Sequence, residues 1–137
     1  MAFKNNLVTV IAENILTKIP IVRVIAKPLM TDVPKTQLRQ ILLDSKVYLH
    51  CAINEHFGIS IIDAMASGCV PIVHDSGGPK EIVPKKHRYT TIDEAAAKIK
   101  EAIIEWSPAK AWELRNSTLK YSQENFSKNL LNVLLFS

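Results

Sequence analysis

Residues 54–68, which read N-E-H-F-G-I-S-I-I-D-A-M-A-S-G, form the stretch that decides the fold. Apolar side chains recur at helical spacing over residues 58–67, and Gly68 stands where a helix can end in a left-handed cap. The apolar runs on either side, residues 46–51 and 69–74, are typical of buried strands. A strand, loop, helix and strand in this order predict a right-handed crossover in a parallel sheet.

The loop before this helix is the first candidate binding site. The first N–H groups of a helix have no partner inside the helix, and the helix dipole favours anions at that end. Gly58 has no side chain to keep a ligand away from the backbone. We therefore expect the backbone N–H groups of Phe57, Gly58 and Ile59 to be available to a phosphate group.

Two carboxylates flank the start of this helix, since Glu55 precedes it and Asp63 follows eight residues later. If every intervening residue were helical, the two would lie about 12 Å apart along the axis. That is the scale of a diphosphate with a sugar at each end, so one carboxylate could accept hydrogen bonds from a sugar and the other from a ribose. In the alternative interpretation, Glu55 caps the helix and Asp63 is an ordinary exposed residue.

These residues resemble a known family. Glu55, seven further residues, Asp63 and the run A-M-A-S-G resemble the E-x7-E signature of the family 4 retaining glycosyltransferases, which have the GT-B fold. Residues 76–83, S-G-G-P-K-E-I-V, are similar to that family's G-G-x-x-E-[IV]-V element one strand later. The combination of N-E-H-F-G with H-D-S-G-G-P-K resembles the branch that adds mannose to dolichol-linked oligosaccharides. The resemblance covers roughly residues 34–126.

The resemblance implies a role for each residue of the central stretch. Glu55 would be the catalytic residue that positions the donor sugar, and the N–H groups near Gly58 would stabilise charge on the leaving diphosphate. Asp63 would hold the ribose, where the family has a glutamate that is one methylene longer. His56 could donate a hydrogen bond to phosphate, or it could be a structural or exposed histidine.

Gly77 and Gly78 form the second part of the candidate donor site. They follow the strand predicted at residues 69–74, and His74 and Asp75 at its carboxyl end lie where open α/β sheets bind ligands. The lack of a side chain at the two glycines could bring the backbone close to the donor, or it could simply permit a tight turn. Pro79 suits the start of the short helix that we expect next.

The sequence offers no metal motif. The two cysteines, Cys51 and Cys69, have no metal-binding spacing and stand in apolar runs, so we expect buried thiols. The family is thought to need no essential metal, and no D-x-D sequence occurs here. The resemblance therefore implies no metal and no cofactor, with a nucleotide diphosphate sugar as the donor substrate.

The expected fold class is α/β, a Rossmann-like parallel sheet flanked by helices, which the resemblance makes the C-terminal donor domain of a GT-B enzyme. The 137 residues suit one partial domain, with an N-terminal helix over residues 1–20, a sheet core over 21–92 and C-terminal helices over 93–137. The family's first strand–helix unit, with the arginine and lysine that grip the diphosphate, has no match in this sequence.

The remaining elements follow from periodicity and capping residues. We expect four strands and a series of capped helices: strands at residues 21–26, 46–51, 69–74 and 89–92, a helix that begins at Pro34, a helix at 94–106 capped by Asp93, and helices at 109–121 and at 124–136, the last capped by Ser122.

These features predict a glycosyltransferase domain that transfers a hexose, with mannose suggested by the branch, to a glycan or lipid-linked acceptor with retention. A separate acceptor-domain polypeptide could complete the site. The alternative is a non-catalytic, truncated remnant or a subunit that needs a partner chain. A net charge of +4 does not require nucleic acid. With no secretory signal and no apolar run of about 20 residues, we expect a cytoplasmic protein with at most peripheral contact at the cytoplasmic membrane face.

Overall fold

The computed structural model describes residues 34–136 of the chain. Its sheet contains three parallel strands, β1 (Val47–His50), β2 (Val70–His74) and β3 (Arg88–Tyr89), in the order β1-β2-β3. The expected α/β class with a Rossmann-like parallel sheet is confirmed. The predicted helix within residues 1–20 and the predicted strand at 21–26 lie outside the described residues.

Helices cover both faces of this sheet and follow the chain order that the sequence predicts. They are α1 (Lys35–Leu43), α2 (Ile59–Ala66), α3 (Pro79–Ile82), α4 (Ile92–Glu105), α5 (Pro108–Ser117) and α6 (Gln123–Phe136), with single 3-10 turns at Lys85–His87 and Leu119–Tyr121. Within residues 34–136, no helix has both the length and the apolar character needed to cross a membrane.

Helix α2 is the crossover between β1 and β2, and a glycine stands at each of its ends. Gly58 precedes it with φ of 94° and Gly68 follows it with φ of 90°, both in the left-handed region. At the second end, the N–H of Gly68 donates to the carbonyl of Met65 and the N–H of Cys69 donates to that of Ala64. This pair of hydrogen bonds is a Schellman motif, so the predicted left-handed cap at Gly68 is confirmed.

The core has two layers because β2 is covered on both sides. Val70 and Ile72 pack towards α4, while Val73 packs with Ile61 and Met65 from the opposite side. All five side chains are at least 97% buried. A strand buried on both faces reads as a continuous apolar run, which explains why residues 69–74 show no alternation.

Both cysteines are free and buried, as the sequence predicts. Burial raises the pKa of the Cys69 thiol to about 11, and it also raises the pKa of Cys51. Both thiols therefore remain protonated at neutral pH, which fits a packing role for these two residues.

The predicted cap of α4 and the predicted length of β3 are both wrong, and two hydrogen bonds of Glu94 explain this. Thr91, not Asp93, is the N-cap, because its hydroxyl accepts from the N–H of Glu94 at 3.2 Å. The Glu94 carboxylate reaches back and accepts from the N–H of Thr90 at 2.8 Å. With this N–H bonded to a side chain, β3 ends at Tyr89 and does not extend to residue 92.

The helix predicted over residues 109–121 is shorter in the structure. It ends at Ser117, where the hydroxyls of Ser117 and Thr118 donate to the carbonyls of Leu114 and Arg115 at 2.6 and 2.7 Å. Hydroxyl side chains that bond the preceding turn compete with the backbone, and a 3-10 turn follows here. The predicted cap of the last helix is confirmed, because the Ser122 hydroxyl accepts from Asn125 N–H at 3.3 Å.

Candidate functional site

Two loops meet where β1 and β2 end. We call residues 54–58 the glutamate loop and residues 75–78 the glycine loop. The backbone N–H of Asn54 donates to the hydroxyl of Ser76 at 2.8 Å, and the N–H of Gly78 donates to the carbonyl of Glu55 at 2.8 Å. The two sequence motifs therefore form one structural unit at the carboxyl edge of the sheet, where open α/β folds bind their ligands.

The glycines of the glycine loop lie directly against the backbone of the glutamate loop. A Cβ atom at Gly77 would run into the carbonyl oxygen of Glu55, and one at Gly78 would run into that of His56. Gly77 also has φ of 61°, in the left-handed region. The close contact between the two loops thus accounts for both glycines, and their predicted contact with the donor stays a prediction.

Two contacts with residues of β2 and β3 hold the glycine loop in place. Asp75 forms an ion pair with Arg88 at 3.0 Å, and Ser76 Oγ lies 2.8 Å from His74 Nδ1. The His74 ring also meets the Tyr89 ring edge-on, with centroids 5.6 Å apart. Ser76 therefore links β2 to the glutamate loop through its one hydroxyl, a role that was not predicted.

The Glu55 side chain is half-buried, and both of its carboxylate oxygens lie near polar groups of this chain. Oε1 accepts from the backbone N–H of His56 at 3.0 Å, and Oε2 lies 3.5 Å from His50 Nε2. Helix α2 has Gly58 as its N-cap and no side-chain cap. The alternative interpretation of Glu55 as a helix cap is therefore wrong, and its carboxylate is held beside the helix start instead.

Backbone N–H groups of the residues that follow Glu55 are the candidate phosphate donors. In the described part of the chain, no group accepts from the N–H groups of Phe57, Gly58 or Ile59. Phe57 and Ile59 are exposed, while the Gly58 carbonyl starts the helix by accepting from Ile61 N–H at 3.0 Å. Gly58 itself is buried, so Phe57 and Ile59 are the exposed residues among these three. Unpaired donors at a helix N-terminus, where the dipole favours negative charge, can hold a phosphate group.

Asp63 lies one turn into α2, and its side chain is exposed. The 12 Å spacing expected for a fully helical segment does not apply, because α2 begins at Ile59. Only the four steps from Ile59 to Asp63 follow helical rise, about 6 Å along the axis. Among residues 34–136, its carboxylate has no hydrogen bond or ion pair, so the structure leaves it open to a ligand such as the predicted ribose.

The structure separates the roles of His56 and Phe57. His56 is exposed, and its backbone N–H rather than its ring is bonded to Glu55. The Phe57 ring meets the Tyr121 ring edge-on at 6.0 Å, so its side chain packs against the turn after α5. Because the ring takes part in this packing, the backbone N–H of Phe57 is the candidate phosphate donor of this residue.

His50, the last residue of β1, was not among the predicted site residues. Its ring stacks on Tyr48 with centroids 6.1 Å apart and presents Nε2 to Glu55. The signal was present in the two-residue period of a strand, because Tyr48 and His50 must share one face. Burial raises the pKa of Tyr48, although the neighbouring Ser60 hydroxyl lowers it.

Within the described ranges, no group of three His, Cys, Asp or Glu residues could hold a metal ion.

Comparison with known proteins shows the family to which the chain belongs. The family profile described as "Glycosyl transferases group 1" matches residues 29–125, which include both loops. The chain belongs to the group 1 glycosyl transferases. The predicted family and GT-B type of domain are thereby confirmed, and no solved structure matches the chain.

Several relatives of this glycosyl transferase carry the name "GDP-Man:Man(3)GlcNAc(2)-PP-Dol alpha-1,2-mannosyltransferase". The protein of Dictyostelium discoideum is 36% identical over 105 residues, 72% of this chain and 21% of its own length. That of Xenopus laevis is 32% identical over 111 residues, 73% of this chain and 23% of its own. The human protein is 31% identical over 112 residues, 77% and 23%. The predicted resemblance to the dolichol-linked mannosyltransferase branch is confirmed, and the chain spans about a fifth of the length of these relatives.

Proposed function

We propose that the chain is the donor-binding domain of a mannosyltransferase that uses GDP-mannose and a dolichol-linked glycan. The observation that carries the proposal is the juxtaposition of the Glu55 carboxylate with three unpaired backbone N–H groups at the start of α2. A carboxylate recognises sugar hydroxyls and the N–H groups recognise phosphate, so together they fit a sugar diphosphate. The names of the relatives support mannose as the sugar and GDP as the nucleotide.

In the proposed reaction, Glu55 accepts hydrogen bonds from hydroxyls of the donor mannose and fixes its orientation. The bond between mannose C1 and the β-phosphate oxygen breaks, and its electron pair stays on the phosphate. The acceptor hydroxyl forms the new bond on the same face of the sugar, and its proton leaves with the phosphate. N–H groups at Phe57, Gly58 and Ile59 stabilise the charge that develops on GDP. Asp63 binds the guanosine ribose.

The proposal includes transfer without a metal ion. Because the N–H groups and the dipole of α2 already meet the phosphate charge, the donor should bind without a divalent cation. Titration of GDP-mannose in EDTA and in magnesium tests this point. Equal affinity in both supports it, whereas binding that requires magnesium contradicts it.

We propose further that a second domain supplies the acceptor side of the site and that transfer takes place at the cytoplasmic face of a membrane. The exposed leucines of α6 support contact with another polypeptide, because Leu130, Leu134 and Leu135 are 46%, 68% and 68% exposed. A dolichol-linked acceptor would stay in the bilayer, so the domain has to reach the membrane surface. Pull-down with an acceptor domain tests the first statement, and vesicle flotation tests the second.

The experiment that tests the donor site is calorimetric titration of the chain with GDP and with GDP-mannose. Wild type should bind GDP-mannose more tightly than GDP. Glu55→Ala should lose that difference and keep its affinity for GDP, because the phosphate donors are backbone groups. The matched control is Glu101→Ala, an exposed glutamate on α4, which should behave as wild type.

Two results would contradict the proposed function. The same sugar-dependent gain in Glu55→Ala and wild type would remove Glu55 from the site. If neither nucleotide bound, and neither raised the melting temperature at millimolar concentration, the chain would not form a donor site by itself. That second result would favour the alternative of a non-catalytic remnant or an obligate subunit.

A further inference from the structure

The strongest unexplained feature beside the site is the Nε2 atom of His50. It is buried and makes no hydrogen bond within residues 34–136. The Glu55 Oε2 atom lies 3.5 Å from it. Buried polar atoms are nearly always bonded in native proteins, so an unbonded nitrogen that faces a carboxylate calls for a specific role.

The surroundings of His50 leave its ring little freedom. Its side chain is 13% exposed, and Tyr48 stacks beside it with an angle of 27° between the two ring planes. The backbone is fixed by the strand register, in which His50 pairs with Val73 of β2. The ring is therefore a rigid support for a side chain of the adjacent loop, not a mobile surface group.

Glu55 is the side chain that this support can orient. The protein uses one lone pair of Oε1 for the N–H of His56, at 3.0 Å. A carboxylate offers about four acceptor positions. A bond from His50 Nε2 to Oε2, added to the bond from His56 N–H to Oε1, would fix the carboxylate plane and leave the other positions for a ligand. The Glu55 side chain is 35% exposed, which leaves these positions accessible.

We propose that His50 is a positioning residue, whose Nε2–H holds the Glu55 carboxylate in the orientation that receives the hydroxyls of the donor sugar. This inference rests on the proposed function of Glu55. The 3.5 Å separation is longer than an ordinary N–H···O bond. Hydrogen bonds of catalytic groups are often long without substrate and shorten when it binds. The distance from His50 Nε2 to Glu55 Oε2 should therefore shorten when the sugar donor binds.

The alternative is that His50 serves only to fill space beneath the loop. Two substitutions separate the roles. His50→Phe keeps an aromatic ring next to Tyr48 and removes the donor group. His50→Gln removes the ring and keeps an amide N–H close to the position of Nε2. A packing role predicts that His50→Phe keeps more of the sugar-dependent gain in affinity than His50→Gln. A positioning role predicts that His50→Gln keeps more of it.

The first test needs no ligand and so does not depend on the proposed function. Long-range 1H–15N NMR correlations report which ring nitrogen carries the proton. The inference expects a proton on Nε2 and a change in the Nε2 chemical shift in Glu55→Gln. A neutral ring protonated on Nδ1 alone would overturn it, because a nitrogen lone pair would then face the carboxylate.

The second test is titration with GDP and with GDP-mannose. In His50→Phe the gain in affinity that the sugar provides should fall about tenfold, the size expected for a lost bond to a charged group, with GDP affinity unchanged. His50→Gln should recover most of the gain. His87→Phe, the same change at a buried histidine before β3, should leave both affinities unchanged.

The outcomes also separate this inference from the proposed function. If Glu55→Ala loses the sugar-dependent gain and His50→Phe keeps it, the site stands and His50 does not position Glu55. If His50→Phe and His50→Gln lose it equally, a bond from Nε2 is not the cause and the inference fails. If wild type shows no gain at all, the proposed function fails and takes the role of His50 with it.

Discussion

Replacement of Gly78 by alanine tests whether the contact between the glycine loop and the glutamate loop builds the site. Gly78 has φ of −61° and ψ of −33°, which alanine adopts without strain. Backbone preference alone therefore predicts that Gly78→Ala stabilises the fold by about 0.4–1 kcal/mol. The new Cβ, however, would overlap the carbonyl oxygen of His56 and lie 3.0 Å from the Cα of Phe57.

The steric effect should win because the obstacle is backbone. The glutamate loop is tied by the bonds from Gly78 N–H to Glu55 and from Asn54 N–H to Ser76, both 2.8 Å long, and cannot yield without losing them. Overpacking against rigid groups costs about 1–3 kcal/mol. After the backbone gain is subtracted, Gly78→Ala should lose about 1–2 kcal/mol, or about 4–16 °C in melting temperature for a domain of this size.

Thermal unfolding followed by circular dichroism measures this change, and titration with GDP-mannose measures the effect on the site. The displaced loop carries Glu55 and the N–H group of Phe57, so donor affinity should fall together with stability. Lys80→Ala, at an exposed position of α3, the short helix that Gly78 precedes, is the matched control and should change neither quantity. A Gly78→Ala protein as stable as wild type, with unchanged donor affinity, would refute the reasoning.

Two further predictions concern stability. Thr91→Ala removes the hydroxyl that caps α4 and should cost about 1 kcal/mol in chemical denaturation; an unchanged midpoint would show that Thr91 is not the cap. Burial, together with the charges of Lys86, Lys98 and Lys110, lowers the pKa of His87 from 6.5 to about 4 against the opposing effect of Glu105. Between these pH values, His87 binds a proton in the unfolded chain but not in the folded chain. The contribution of the neutral His87 to the free energy of unfolding is therefore complete above about pH 6.5 and is lost as the pH falls towards 4. His87→Phe should therefore lose less melting temperature than wild type between pH 7 and pH 4, and equal losses would contradict the shift in pKa.

Local sequence was sufficient for most of the helices and strands and for part of the site. The run from Glu55 to Gly68 predicted a loop, a helix and a left-handed cap, because each depends on residues that are neighbours in the chain. The capping of α4 was misassigned although its sequence contains the pattern T-x-x-E from Thr91 to Glu94. Asp93 was an equally good local candidate, and the choice depended on where β3 ends.

What the sequence determined by itself was the order of the elements, the family and the two motifs, since periodicity and short spacings are properties of the chain alone. Only the tertiary structure decided that the backbone of Glu55 lies against Gly77 and Gly78, which belong to a loop one strand later. It also decided that His50 faces the carboxylate of Glu55. The physical reason is that strand pairing between β1 and β2 brings together groups more than 20 residues apart, as in the bond from Asn54 to Ser76, and no local pattern encodes which side chains then meet.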